Sequence, residues 1–158
     1  MKKKILIAGA TGMLGGKIAE YLLQQGAEVI AIVRESSDKE KITPLKNSGV
    51  TVIPLQMEDR LALQRACEGV SCVISAVAGL RESIVDFQSR LVDAAIAAKV
   101  PRFIPSDFST DFTQMDKGFN RNFDLRKEFK AYLDKQPVQS TSIFNGAFAY
   151  LLNYNLPL

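Results

Sequence analysis

Short runs of apolar residues alternate with amphipathic stretches along the chain. A run such as residues 5–8 contains no polar position, which is typical of a strand buried on both faces of a parallel sheet. The stretches between the runs place apolar residues three and four positions apart, which is the spacing of a helix face. We therefore predict strands at residues 5–8, 27–33, 50–54, 71–77, 102–105 and 138–144.

Helices are predicted between these strands. The longest covers residues 82–99, one follows the first strand, and two others cover residues 60–68 and 123–135. Residues 38–47 form a polar helix that we expect Pro44 to interrupt, because proline has no N–H to donate. Regular alternation of strand and helix predicts a doubly wound α/β domain, and right-handed crossovers give its parallel sheet the strand order 3-2-1-4-5-6.

Composition is that of an ordinary globular protein, with 47% apolar and 23% charged residues among 158. The net charge of +3 is spread along the chain, so no nucleic-acid surface is predicted. No apolar stretch approaches the ~20 residues of a membrane span, and the run after Lys2, Lys3 and Lys4 is too short for a signal peptide. We expect a cytoplasmic protein that has no membrane partner.

The chain contains no histidine, and its only cysteines are Cys67 and Cys72. Zinc sites built from cysteine and histidine are therefore excluded, and so are Ser-His-Asp and Cys-His catalysis. The two cysteines are expected to be free thiols in a reducing compartment. No metal site is predicted, so any chemistry must come from other polar side chains or from a bound cofactor.

Three glycines, Gly9, Gly12 and Gly15, follow the first strand and precede the first helix. Glycine lets backbone N–H groups come close to an anion, and the helix N-terminus adds unpaired donors and a partial positive charge. Strand, glycine turn and helix in this order indicate nucleotide binding in a Rossmann domain. A plain tight turn is the alternative, since the spacing is G-x-x-G-x-x-G and differs from the standard fingerprint.

The end of the second strand carries Arg34, where a Rossmann domain meets the adenosine ribose. An acidic residue at this place binds the 2′-hydroxyl of NAD, whereas arginine accommodates a 2′-phosphate. Arg34 therefore indicates NADP(H), with Ser36 and Ser37 as further donors. NAD(H) is the second choice because Glu35 could serve a ribose, and a surface arginine without a ligand is the remaining alternative.

Small residues end the fourth strand, where open α/β sheets bind ligands, and the irregular segment 106–122 after the fifth strand is a second site candidate. The same small residues also suit simple packing of a strand-to-loop junction. The candidate cofactor-binding residues are Gly9, Thr11, Gly12, Met13, Leu14, Gly15, Arg34, Ser36, Met57, Ser75, Ala76, Val77 and Ser106.

Four segments together resemble the atypical short-chain dehydrogenases of the NmrA-like and isoflavone-reductase-like group. They are the glycine turn 9–15, residues 33–36, residues 73–76, and residues 88–108 with the run Pro-Arg-Phe-Ile-Pro-Ser-Asp-Phe. The resemblance covers essentially the whole chain. It implies an NADP-dependent oxidoreductase that reduces a small carbonyl, quinone or conjugated double bond.

Reductases of this group carry a lysine in the helix after the Pro-Ser-Glu-Phe loop, and the resemblance puts Arg126 at that position. Arginine keeps its proton, so it can bind a ribose or an oxyanion but is a poor general acid. Lys127 lies about 100° further round the helix. The candidate catalytic residues are Ser106 and Arg126, with Lys127 in reserve. Alternatives are a non-catalytic NAD(P)-sensing regulatory protein and a truncated remnant that binds dinucleotides weakly.

Members of this group continue beyond the point where this sequence stops. We therefore expect residues 1–158 to form a single NAD(P)-binding domain in which residues 145–158 begin a truncated substrate-side region. An apolar tail indicates a partner subunit, a homo-oligomer or a continuation of the chain, and packing back on the sheet is the alternative. The tail residues are Phe144, Phe148, Tyr150, Leu151 and Leu152.

Overall fold

The computed structural model describes residues 2–149, which form one six-stranded sheet with helices on both faces. All neighbouring strands are parallel and their order is β3-β2-β1-β4-β5-β6, which confirms the predicted topology. The strands are β1 Lys4–Ala8, β2 Glu28–Arg34, β3 Thr51–Leu55, β4 Cys72–Ser75, β5 Arg102–Ile104 and β6 Gln139–Ser140. The α-helices are α1 Met13–Gln24, α2 Lys39–Asn47, α3 Arg60–Ala66, α4 Gln88–Ala97 and α5 Arg121–Leu133.

The core lies in two layers, one on each face of the sheet. Because side chains alternate along a strand, Leu6 and Ala8 of β1 face one layer while Ile5 and Ile7 face the other. The first layer is closed by α3, α4 and α5 and the second by α1 and α2. β1 is thus buried on both faces, which explains its uninterrupted apolar sequence.

Two helix predictions need correction. The helix α2 continues through Pro44, so the predicted interruption is wrong. Asp38 caps its first turn by accepting a hydrogen bond from the N–H of Glu40, at 2.8 Å. The N–H that Pro44 lacks would have donated to the carbonyl of Glu40, an exposed residue in the first turn of α2, where water can take the place of the missing donor.

The predicted helix 82–99 is divided into a π-helical turn, Glu82–Phe87, and α4. The sixth strand covers only Gln139–Ser140, whereas residues 138–144 were predicted, although the N–H of Thr141 still donates to the carbonyl of Phe103 at 3.1 Å. A 3-10 turn, Phe112–Gln114, lies within the irregular segment after β5. Phe144 is part of the predicted tail and packs edge-on against Phe112 at 5.3 Å, while Tyr150, Leu151 and Leu152 lie outside the described residues.

Cys67 and Cys72 are free thiols, as predicted, and both are buried. Burial raises the pKa of Cys67 to about 12 and that of Cys72 to about 11, so neither forms a reactive thiolate at neutral pH. Residues 2–149 hold no helix with the length and apolar character to cross a bilayer. The same residues contain no group of three acidic or cysteine side chains placed to hold a metal ion.

Candidate functional site

A cleft of about 590 Å³ opens at the carboxyl ends of β1 to β4. Its floor is the glycine turn between β1 and α1, and its walls come from the loops after β2, β3 and β4 and from the π-helical turn. Parallel strands bring these loops together at one edge of the sheet, where open α/β folds bind ligands. The lining residues that carry polar or charged side chains are Thr11, Arg34, Glu35, Ser36, Ser37, Gln56, Glu58, Glu82, Ser83 and Arg90.

Two of the three motif glycines are required by the packing of the protein's own backbone. A Cβ added at Gly9, whose φ is +88°, would lie 2.5 Å from the carbonyl oxygen of Ala76 in the β4 loop. A Cβ at Gly15 would lie 2.2 Å from the carbonyl oxygen of Gly9. These glycines therefore let the turn pack against β4 and let α1 pack against the turn.

Gly12 has a different environment, because its nearest neighbour for an added Cβ is the Gly9 oxygen at 3.3 Å. It is the N-cap of α1 and makes no side-chain capping bond, so the first N–H groups of the helix are left for a ligand. The N–H of Gly12 donates to Gly9 at 3.0 Å and closes the turn. Gly12 and Thr11 both line the cleft, so an anion in the cleft would meet the open end of α1.

Arg34 is the last residue of β2, and its exposed side chain lines the cleft. Its guanidinium makes no hydrogen bond or ion pair within residues 2–149. Glu35 also lines the cleft, and its carboxylate accepts a hydrogen bond from the Gln56 amide at 3.4 Å. The cation is therefore available to a ligand, whereas the neighbouring carboxylate already has a partner.

None of the three predicted catalytic residues lines the cleft, and only Ser106 and Arg126 contact each other. The hydroxyl of Ser106 donates to the carbonyl of Val77 at 2.6 Å, and its own carbonyl accepts from Nε of Arg126 at 3.1 Å. Arg126 also donates to the carbonyl of Asn122 at 3.1 Å. Lys127 points elsewhere and donates to the carbonyl of Met115. The catalytic assignment stays a prediction.

Burial lowers the pKa of the Arg126 guanidinium, and the nearby Asp107 carboxyl opposes this shift. The pKa of Asp107 is raised, chiefly by burial, although the Ser142 hydroxyl donates to it at 2.7 Å. The other carboxylate oxygen of Asp107 is buried without a hydrogen-bond partner within the described chain. For both groups burial is the larger influence, and the charge of the other residue only partly opposes it.

The cleft brings together eight of the predicted cofactor-binding residues, namely Gly9, Thr11, Gly12, Arg34, Ser36, Met57, Ala76 and Val77. Met13, Leu14, Gly15, Ser75 and Ser106 do not line it. Sequence reasoning missed Arg90, which lines the cleft and donates from Nε to the carbonyl of Met57 at 3.2 Å. No sequence pattern marks this residue, because its partner is a backbone carbonyl and every residue carries one.

A protein-family model described as the NmrA-like family matches residues 1–157. Among curated proteins, an isoflavone reductase-like protein from Olea europaea is 32% identical over 99% of this chain and 51% of its own length. The solved structure of AtPrR2 with NADP+ and (+)pinoresinol is 28% identical, with a TM-score of 0.86, and the match covers 96% of this chain and 52% of that one.

The crystal structure of the NADPH-dependent quinone oxidoreductase QOR2 complexed with NADPH, from Escherichia coli, is also similar. It is 25% identical with a TM-score of 0.79, and the match covers 94% of this chain and 52% of that chain. The chain therefore spans about half the length of the relatives it matches.

Proposed function

The chain belongs to the NmrA-like family, and from this premise we propose that its cleft binds NADP(H) and serves an oxidoreductase. The observation that carries the proposal is the pairing of two anion-binding features in one cleft. The uncapped N-terminus of α1 lies on its floor, and the unpartnered guanidinium of Arg34 lies on its wall. NADP(H) carries anionic groups at two separate places, the pyrophosphate and the 2′-phosphate.

The residues of the cleft fit this cofactor in charge and in shape. Gly12 and the first N–H groups of α1 would hold the pyrophosphate, because the unpaired N–H donors and the partial positive charge of a helix N-terminus both favour an anion there. Arg34, with the hydroxyls of Ser36 and Ser37, would hold the 2′-phosphate. Val77 and Phe87 give the opposite wall an apolar surface suited to flat rings. When bound, the cofactor supplies a hydride, and the protein's task is orientation.

Titration with the four nicotinamide dinucleotides tests the binding proposal directly. We expect NADPH and NADP+ to bind more tightly than NADH and NAD+, and 2′,5′-ADP to compete with NADPH. Calorimetry measures the affinities, and NADPH fluorescence reports the competition. Equal affinity for phosphorylated and unphosphorylated forms would remove the assigned role of Arg34, and no binding at all would remove the proposal.

For the reaction we propose reduction of a small carbonyl, quinone or conjugated double bond. The support is the quinone oxidoreductase and the isoflavone reductase-like protein among the similar proteins. The assay follows NADPH absorbance with a panel of quinones, aldehydes and conjugated ketones. Saturable oxidation of NADPH that depends on the substrate is the expected result.

A second candidate is a protein that senses the cofactor without turning it over. Arg126 and Lys127 favour it, since both side chains already donate to backbone carbonyls and neither lines the cleft. Tight NADPH binding with no turnover on any panel substrate would select this alternative. Homo-oligomerisation through the apolar tail stays a prediction, and light scattering after size-exclusion chromatography would test it.

A further inference from the structure

Gln88 is fully buried, with 0% of its surface exposed, at the junction of the π-helical turn and α4. Its backbone N–H donates to the carbonyl of Val85, three residues back. Its side-chain amide adds a second bond to the same turn, since Nε2 donates to the carbonyl of Ile84 at 2.7 Å. Gln88 is thus tied to the π-helical turn by its backbone and by its side chain.

The other end of the same amide reaches the loop after β5. Oε1 of Gln88 accepts a hydrogen bond from the N–H of Ser106 at 2.9 Å. Ser106, which is 4% exposed, passes the connection on through its hydroxyl to the carbonyl of Val77 at 2.6 Å. Val77 belongs to the cleft wall, and so do Ser83 and Phe87 of the π-helical turn. One buried amide therefore connects both segments that form this wall.

We propose that Gln88 is a positioning residue for the cleft. It fixes the distance between the π-helical turn and the Val77 carbonyl, and Ser106 is the intermediate contact. The consequence for cofactor affinity rests on the proposed NADP(H) site, whereas the positioning itself does not. Glutamine suits the task because one planar group of this length offers a donor to Ile84 and an acceptor to Ser106.

Two substitutions distinguish the effect of the Gln88 hydrogen bonds from that of its side-chain volume. Gln88→Met keeps the volume and loses both bonds, so the buried N–H of Ser106 loses its acceptor and the carbonyl of Ile84 loses a donor. Gln88→Glu depends on pH: the protonated carboxyl offers a donor and an acceptor as the amide does, whereas the ionised form offers only acceptors and repels the Ile84 carbonyl.

Gln136→Met is the matched control. The amide of Gln136 also donates to a carbonyl four residues back, that of Tyr132 at 3.3 Å, but it lies after α5 and does not line the cleft. Ser106→Ala provides a second variant, since it removes only the bond to Val77 and keeps the N–H that donates to Gln88.

Hydrogen exchange of the free protein and NADP+ affinity are the two readouts. We expect Gln88→Met and Ser106→Ala to accelerate exchange in residues 76–87 and not in α1, and Gln88→Met to raise the Kd for NADP+ about tenfold. Gln88→Glu should bind NADP+ like the wild type at acid pH and more weakly as its carboxyl ionises. Gln136→Met should change neither readout.

Unchanged exchange in residues 76–87 of Gln88→Met would overturn the positioning role. An equal loss of affinity in Gln136→Met would overturn it as well, since a general loss of stability would then explain the effect. A wild-type protein that binds no dinucleotide would overturn the proposed function instead, and the exchange data would still decide whether Gln88 holds the wall.

Discussion

The two edges of the strand order, the first side (β1, β2 and β3) and the second side (β5 and β6), hold their functional residues by different means. On the side of β1, β2 and β3, the strands are five to seven residues long, and β1 ends in a turn whose shape is fixed by backbone contacts of Gly9 with Ala76 and of Gly15 with Gly9. On the side of β5 and β6, the strands are only three and two residues long, and side-chain hydrogen bonds fix the loop that follows β5. Ser106 is held there by groups 18, 29 and 20 residues away in sequence, at Gln88, Val77 and Arg126. Backbone packing therefore shapes the first side, and side-chain hydrogen bonds shape the second.

Removing a buried ring should damage the second side most. Phe129 of α5 is fully buried and meets Phe103 of β5 with ring centroids 6.4 Å apart. Phe129→Ala should lower the free energy of unfolding by about 3–5 kcal/mol, the usual cost of deleting a buried phenylalanine. Urea unfolding measures it. Phe119→Ala is the control, because Phe119 is 72% exposed, and its effect should stay within about 0.5 kcal/mol.

A small added group should have a comparable effect on the first side. Gly15→Ala places a methyl group 2.2 Å from the backbone oxygen of Gly9, so the turn and α1 must separate. We expect a loss of about 2–3 kcal/mol in the free energy of unfolding, despite the better helix propensity of alanine. Gly16→Ala in the same helix is the control, since its nearest contact is 3.3 Å away. Equal stability of the two variants would mean that the turn is not fixed by backbone packing.

Charge reversal at Arg34, on the first side, tests whether this residue contacts the 2′-phosphate of the cofactor. Arg34→Glu should weaken NADPH binding by roughly 1.5–3 kcal/mol, because a charge-assisted contact is lost, and should affect NADH less. Lys41→Glu makes the same change of charge on an exposed residue of α2 that does not line the cleft. A similar loss of NADPH affinity in Lys41→Glu would mean that the net charge of the protein, and not a contact of Arg34 with the phosphate, causes the effect.

The first side of the sheet was predictable because its signals are local. Uninterrupted apolar strands gave the topology, and the spacing of Gly9, Gly12 and Gly15 located the turn. The sequence could not distinguish the roles of the glycines, since Gly9 and Gly15 are needed for contacts with backbone that only the fold brings near. Pro44 was misjudged for a related reason: a missing N–H costs little on an exposed turn.

The second side was predicted less well because its structure depends on pairs that no short pattern contains. Gln88 was noticed only as part of a resembling segment, and its two hydrogen bonds could not be read from the spacing of apolar residues. The π-helical turn interrupts a stretch whose apolar stripe looks like a regular helix. Arg90 of α4, which bonds the loop after β3, was missed for a similar reason, since its partner is the backbone carbonyl of Met57 and every residue carries such a carbonyl.

The smallest expected effect concerns the buried carboxyl of Asp107, on the second side. Burial raises its pKa above the ordinary 3.8, and the Ser142 hydrogen bond and the Arg126 charge only partly oppose this. The native state thus holds the proton more tightly than the unfolded chain, so this residue's contribution to stability is lost as the pH rises from 3.8 through the raised pKa. Asp107→Asn should gain stability relative to the wild type across that range, as measured by urea unfolding at successive pH values. Ser142→Ala removes the hydrogen bond that favours the charged form of Asp107. The free energy of unfolding of this variant should therefore fall more steeply with rising pH than that of the wild type. A pH-independent difference between Asp107→Asn and the wild type would show that this carboxyl does not titrate differently in the folded protein.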